Sequence, residues 1–217
     1  MRSDPKKSKT NPRPASLRRV LDEAEELFSQ EGFLHFSTDE LARRLRCSKR
    51  TIYAVAPGRE KFFEAVIAQR VTKARDATIA AIRSASSVQA AVQDCIRASV
   101  EQAQSVSPIW LRDVRLFPAG RRAVERWRAE IADDLEHLIE RGVKEGLFRQ
   151  IEPRVAAEAL LTSVLRMCEP DFTAHSRTTT AEAVLQVYEI FWSGLFRGRR
   201  YRKQEQPLEK EGDRAVG

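Results

Sequence analysis

The sequence predicts an all-α protein of about nine helices, in which an N-terminal three-helix unit of helix-turn-helix type is joined by a long helix to a C-terminal helical part. Three observations predict it. Apolar residues recur at three- and four-residue steps along nearly the whole chain, the stripe of amphipathic helices. Ser or Thr caps and Glu-Pro or Ser-Pro pairs stand where these stripes begin, and Gly or Pro where they stop. No segment alternates apolar and polar residues or carries a hairpin turn.

The elements follow in order. Leu17, Val20, Leu21, Ala24, Leu27 and Phe28 mark a first helix over 16–31, which Gly32 stops. Ser37 with Glu40 has the spacing of a capping box, in which hydroxyl and carboxylate each serve the other's backbone N–H, and opens a short helix over 38–45. Ser48 caps a third over 49–55, broken by Pro57-Gly58. Phe62, Phe63, Val66, Ile67, Val71 and Ala74 carry a long fourth helix, reaching to about Ile82. Val88 to Val100 forms a fifth, Ser107-Pro108 opens a short sixth ended by Pro118, and Val124 to Val143 forms a seventh closed by Gly146. Glu152-Pro153 and a Thr179/Glu182 capping box start the last two. These two are apolar on more than one face, so each is either central in a core or shared with a second subunit.

Charge is informative only locally. The chain of 217 residues carries a net +7, but residues 16–196 are formally neutral, with 26 basic and 26 acidic side chains, and the excess lies in the tails 1–15 and 197–217. Both tails lack apolar periodicity and are expected to be disordered. Within the neutral body, residues 41–61 hold seven basic and one acidic residue. No run approaches the roughly 18 apolar residues of a membrane span, and residues 1–14 lack the apolar core of a signal peptide. Cys47, Cys95 and Cys168 are too dispersed for a disulfide framework or a metal site, so the expectation is an unexported, cytoplasmic protein without membrane partners.

The basic stretch coincides with the two short helices and their tight turn. Leu41, Ala42 and Leu45 face inward on the first, and Ile52 and Val55 anchor the second. Lys49, Arg50, Thr51 and Tyr53 are left outward around the N-terminus of the second. Such an end, with long cations, hydroxyls and exposed amides, suits insertion into a major groove, where Arg can donate twice to a guanine edge. A solvated basic face is the plain alternative. Arg43 and Arg44 fall on the outer side of the preceding helix, where phosphate contact and solvation are equally open. Cys47, in the turn, reads as a small apolar packing residue.

The stretch Arg18 to Ile67 resembles the DNA-binding domain of TetR-family transcriptional regulators, through Leu27-Phe28, Glu31-Gly32-Phe33, Ser37-Thr38, Leu41-Ala42, Ser48-Lys49-x-Thr51-x-Tyr53 and Pro57-x-Arg59-Glu60. The resemblance implies a homodimeric repressor that binds double-stranded operator DNA and is released by a small-molecule effector, with residues 16–61 as the DNA-binding domain. Residues 62–200 would be the effector-binding and dimerisation domain, pairing through the last two helices, with a disordered tail at 201–217. It implies a phosphate contact for Thr38, base or phosphate contacts for Lys49, Arg50 and Thr51, a backbone contact for Tyr53, and a phosphate role for Arg59 in place of the usual Lys. The sequence departs from the family pattern at Arg46, where the turn usually holds Gly, at Arg50, often a small residue, and at Ala56, often Phe. A DNA-binding regulator without a small-molecule effector, constitutive or controlled by a partner, is the alternative.

An effector cavity is expected between the long helices, with Trp110, Phe117, Trp127, Met167 and Phe172 as candidate lining residues, although aromatic residues at helical spacing are first of all core. Catalysis and cofactors are not expected. His35, His137 and His175 are dispersed, Glu136, His137 and Glu140 share a helix without forming a site, and there is no phosphate-binding Gly loop or nucleophile elbow.

Overall fold

The computed structural model describes residues 14–197, which contain ten helices. They are α1 (Pro14–Glu31), α2 (Thr38–Arg44), α3 (Lys49–Val55), α4 (Arg59–Ser84), α5 (Val88–Gln104), α6 (Pro108–Leu116), α7 (Pro118–Lys144), α8 (Pro153–Met167), α9 (Pro170–His175) and α10 (Thr180–Leu195). The expected tails lie outside the described residues, except that residues 14, 15 and 197 are included and α1 opens at Pro14. No described helix is long and apolar enough to cross a membrane.

Local chemistry sets most boundaries. Ser37, Ser48, Ser87 and Ser107 each accept a first-turn N–H, and Thr179 with Glu182 completes a reciprocal capping box. The reciprocal half expected at α2 does not form: the Glu40 carboxylate turns instead toward Arg43, 3.7 Å away. Pro118 both ends α6 and opens α7 at its first position, where a missing N–H costs nothing. The additional helix is α9, opened by Glu169-Pro170 as Glu152-Pro153 opens α8.

The α2 to α3 turn is a Schellman motif. Arg46 N–H donates to the Arg43 carbonyl and Cys47 N–H to the Ala42 carbonyl, with Arg46 at φ +46°. The turn after α7 has the same bonds around Gly146, at φ +72°. Arg46 thus adopts the left-handed conformation despite its Cβ, at a cost of about 1–2 kcal/mol. Arg46→Gly is expected to stabilise the protein by about 0.5–1 kcal/mol, the relief of strain outweighing the greater freedom of glycine in the unfolded chain. An unchanged or lower melting temperature would show the turn to be unstrained.

Two cores result. One gathers Phe28, Phe33, Phe36, Leu41, Ile52, Phe62 and Phe63 from α1 to the start of α4, with Trp110 and Val114 of α6. The other gathers Ile131, Leu135, Phe148, Leu160, Trp192 and their neighbours from α5, α7, α8 and α10. Helix α4 serves both, Phe62 to Ile67 in the first and Ile82 in the second. Much of the all-round apolarity of α8 and α10 is consumed here, since Leu160, Leu161, Val184, Tyr188 and Trp192 are all buried. What stays exposed is one large apolar side chain on each helix, Val155 at 62% and Ile190 at 75%.

Candidate functional site

Helix α3 stands on the first core through Ile52, which is fully buried, while Lys49, Arg50 and Tyr53 are exposed and Thr51 is half-buried. Tyr53 is 52% exposed, a large aromatic surface left open by the described residues. Arg50 has no hydrogen bond or ion pair among the described residues. Lys49 is paired with Asp39 at the start of α2, and that hydrogen bond holds its ammonium above the ordinary pKa. The Thr51 hydroxyl lies 2.9 Å from Ser48 Oγ, within the cap that fixes the α3 N-terminus. Thr38 is half-buried at the first turn of α2, and Arg43 is exposed one helical face away.

Neighbouring basic groups have structural work as well. Arg44 bonds the Glu31 carboxylate, which it holds below the usual carboxylate range, and its guanidinium lies 5.7 Å from the centre of the Phe36 ring. Arg59 rests over Phe63 at 5.5 Å and reaches the Phe36 carbonyl at 3.4 Å, leaving donors of its planar fork free. Gly58 at the N-cap of α4 offers no side chain to the first-turn amides, a disposition open to an anion. Cys47 is half-buried against the first core, and desolvation pushes its thiol pKa up, opposite to the direction nearby cations would impose on an exposed thiol.

Above this unit lies a cavity of about 270 Å³ between α4, α5, α6, α7, α8 and α10. Of the five aromatic and sulfur-bearing candidates, Trp110 and Trp127 line it. Phe117 does not: at the C-cap of α6 it turns into the first core, edge-on to Phe33 at 5.8 Å and to Phe63 at 6.2 Å. Met167 packs against the second core, and Phe172 on α9 lies 5.7 Å from the Arg166 guanidinium. Periodicity identifies a buried face without telling whether it fills space or encloses it. The wall also includes Arg70, Ser99, Gln102 and Tyr188, none of which a local motif distinguishes from ordinary helix surface or core.

The cavity and the three-helix unit meet at α6. Asp113 is fully buried, and its Oδ2 accepts N–H bonds from Phe33 at 2.7 Å and Leu34 at 2.9 Å, in the turn between α1 and α2. Its Oδ1 accepts from Arg112 at 2.9 Å. One residue before α6, Ser107 N–H donates to the Ser29 carbonyl at 2.7 Å. The neighbours of Asp113 on the same helix, Trp110, Leu111 and Val114, line the cavity. A second link runs through Arg70 of the cavity wall, 3.5 Å from the buried Glu25 of α1, which also receives Gln69 and Lys73 at 2.7 and 2.8 Å.

Comparison with known proteins agrees with this geometry. The family described as bacterial regulatory proteins, tetR family, matches residues 20–66, and the tetracyclin repressor-like C-terminal domain matches residues 84–187. No curated protein matches the chain significantly. Among solved structures, the chain is similar to SmeT, the repressor of the Stenotrophomonas maltophilia multidrug efflux pump SmeDEF, at 12% identity and a TM-score of 0.68 over 88% of this chain and 96% of that one. A transcriptional regulator from Cytophaga hutchinsonii aligns at 16% identity and a TM-score of 0.67, covering 84% and 99%. The TetR-family regulator PfmR from Thermus thermophilus aligns at 22% and 0.57, covering 82% and 100%. With an exposed, cation-bearing α3, a helical C-terminal part and two successive family matches that together span over two thirds of its length, the chain belongs to the TetR family of DNA-binding transcriptional regulators.

Proposed function

We propose that the protein is a homodimeric repressor whose hold on operator DNA is relieved when a small molecule fills the cavity. The observation that carries this reading is the double role of α6, which walls the cavity with Trp110, Leu111 and Val114 and grips the α1 to α2 turn with Asp113. A ligand that favours a displaced α6 shifts the population toward that arrangement, and the displacement reaches the recognition helix through Asp113. The proposed division is a reading unit over 16–61 and a sensing and dimerising part over 62–200, with α4 crossing between them. A structure of SmeT is described as a triclosan complex, which supports a ligand-responsive reading by likeness of fold.

In this reading Thr38, Arg43 and Arg59 meet phosphates, Lys49 exchanges Asp39 for a phosphate, Thr51 and Arg50 approach bases, and Tyr53 meets the backbone. The outer faces of α8 and α10, where Val155 and Ile190 are exposed, form the self-complementary surface of a two-fold dimer. The unpaired cysteines suit a cytoplasmic setting.

Fluorescence anisotropy with DNA from the promoter of the protein's own gene tests the reading. Wild type is expected to bind one fragment far more tightly than a scrambled duplex. Tyr53→Ala should weaken that binding about tenfold, the loss of one good contact, while stability stays within about 0.5 kcal/mol because the side chain is exposed. No preference over scrambled DNA would refute the operator reading, and a single-chain mass in sedimentation equilibrium at micromolar concentration would refute the dimer.

A further inference from the structure

Arg70, Arg115, Arg121, Glu125 and Glu169 are the charged residues of the cavity wall. Both glutamates are engaged, Glu169 by Arg115 at 2.5 Å and Glu125 by Arg128 at 3.1 Å. The arginines are less evenly served, because neither Arg70 nor Arg121 hydrogen-bonds a carboxylate among the described residues. Arg121 is exposed and donates to the carbonyls of Arg115 at 2.9 Å and Leu116 at 3.3 Å, at the end of α6. Arg70 is recessed. Only 20% of its side chain is accessible, and its guanidinium lies 5.9 Å from the centre of the Trp110 ring, in the same wall. It donates to the Ser105 hydroxyl, and its nearest carboxylate oxygen, on Glu25, is 3.5 Å away.

Glu25 does not depend on Arg70. That carboxylate also accepts from Gln69 at 2.7 Å and from Lys73 at 2.8 Å, so Arg70 can turn to another anion without leaving a buried charge unpaired. The rest of the wall is apolar or bonded to itself. Val71, Val106, Leu111, Ile131 and Leu161 supply hydrocarbon. Ser99 Oγ and Tyr188 OH lie 2.8 Å apart, and Gln102 Nε2 donates to the Ala74 carbonyl at 2.8 Å and to Thr78 Oγ1 at 3.2 Å.

From this arrangement we infer that the cavity takes a small amphipathic anion, a carboxylate on an apolar body, whose head is bound by Arg70. The guanidinium fork matches a carboxylate, and the bond is charge-assisted in a recess where water screens it little. A neutral ligand forgoes that bond. An ammonium ligand meets no carboxylate in the wall that is not already paired, and is buried beside an excess of cations. A volume of about 270 Å³, at the small end of ligand pockets, limits the body. Turning Arg70 toward the ligand also removes one of the α4 groups that tie Glu25, and with it α1, to α4. The inference rests on the reading of this cavity as the effector site and adds the chemistry of its ligand.

The test is titration of the full-length protein with decanoate, 1-decanol and decylamine at neutral pH, which share one chain and differ in head charge. Intrinsic fluorescence reads it, since Trp110 and Trp127 line the cavity and none of the probes absorbs in the tryptophan band. Wild type is expected to bind decanoate about tenfold or more tightly than decanol, the range for one charge-assisted hydrogen bond, and decylamine most weakly. Arg70→Met, which keeps an apolar stem without the charge, should weaken decanoate about tenfold and leave decanol within about threefold. Arg70→Lys should recover part of the loss. Ala103→Leu, which narrows the cavity from α5, should weaken decanoate and decanol alike, and with the wild-type comparison keeps the test valid if Arg70→Met fails to fold. Failure of decanoate to bind, decanol or decylamine binding as tightly, or equal loss of decanoate and decanol in Arg70→Met would each overturn the inference. So would a selective loss of decanoate in Arg121→Met with Arg70→Met unchanged. Operator release by the same compounds is a separate readout. Arg70-dependent binding of decanoate without release would uphold the ligand chemistry and refute the effector reading, whereas release by decanol as readily as by decanoate would uphold the effector reading and refute the anion.

Discussion

Asp113→Ala is expected to lower the stability of the protein by about 3–5 kcal/mol, the range for stripping a buried, charge-assisted network of one partner. In denaturant unfolding at 25 °C this should appear as a fall in midpoint. The loss has two parts. Phe33 N–H and Leu34 N–H would lose their common acceptor, which is 2.7 and 2.9 Å away, in a turn whose neighbours leave water little room. Arg112, about half exposed, would lose only a surface-type pairing and contribute little. Asp113→Asn keeps one acceptor oxygen at nearly the same place and should cost roughly 1–2 kcal/mol, about what the charge adds to the two bonds. A midpoint for Asp113→Ala within about 1 kcal/mol of wild type would show that the turn satisfies its amides otherwise, and would remove the proposed link between cavity and reading unit. The joint is tight as well as polar. A Cβ on Gly32, which is at φ +77°, would come 2.6 Å from Asp113 Oδ2 and 2.5 Å from Ile109 Cγ2. Gly32 is thus needed twice, to end α1 and to let α6 approach.

Gly142→Ala should be the second large effect, and against the direction that helix propensity gives. In an open helix the change would gain about 1 kcal/mol. Gly142 is in the last turn of α7, where a Cβ would be 2.9 Å from Phe148 Cγ and closer still to Cδ2 and Cε2. That ring cannot withdraw freely. It is fully buried between Trp192, 5.6 Å centre to centre, and Phe196, at 4.9 Å, and its own N–H is bonded to the Gly142 carbonyl. Overpacking at such a place costs about 3 kcal/mol or more, so a net loss of roughly 2 kcal/mol is expected in the same unfolding assay. Phe148→Leu in the Gly142→Ala background should return part of it, and strict additivity of the two changes would show that the clash is absent.

Helix ends were the most legible part of the sequence, because caps are local chemistry. Ser48, Ser107-Pro108, Glu152-Pro153 and Thr179 with Glu182 each act at the helix end that they mark. Helix α9 carries the same kind of signal in Glu169-Pro170, but six residues leave too little apolar periodicity to stand out. The groove-facing set on α3 was legible for a similar reason. Ile52 must be inward at that spacing, so Lys49, Arg50 and Tyr53 must be outward. Arg46 was a real departure from the glycine of that turn, and the chain adopts the left-handed backbone there without it.

The cavity was legible only in part. Trp110 and Trp127 reach it, whereas Phe117, Met167 and Phe172 serve packing elsewhere. Asp113 could not be found at all, since between Arg112 and Val114 it reads as one more charge on an amphipathic helix, and its partners are 79 and 80 residues away. By itself, then, the sequence determined the all-α class, most of the capped helix starts and the face that α3 presents, since these follow from spacing within a few residues. Only the tertiary structure decided which apolar residues fill space and which enclose it, and which buried carboxylate binds the reading unit to the cavity wall, because burial and its partners depend on which distant helices meet.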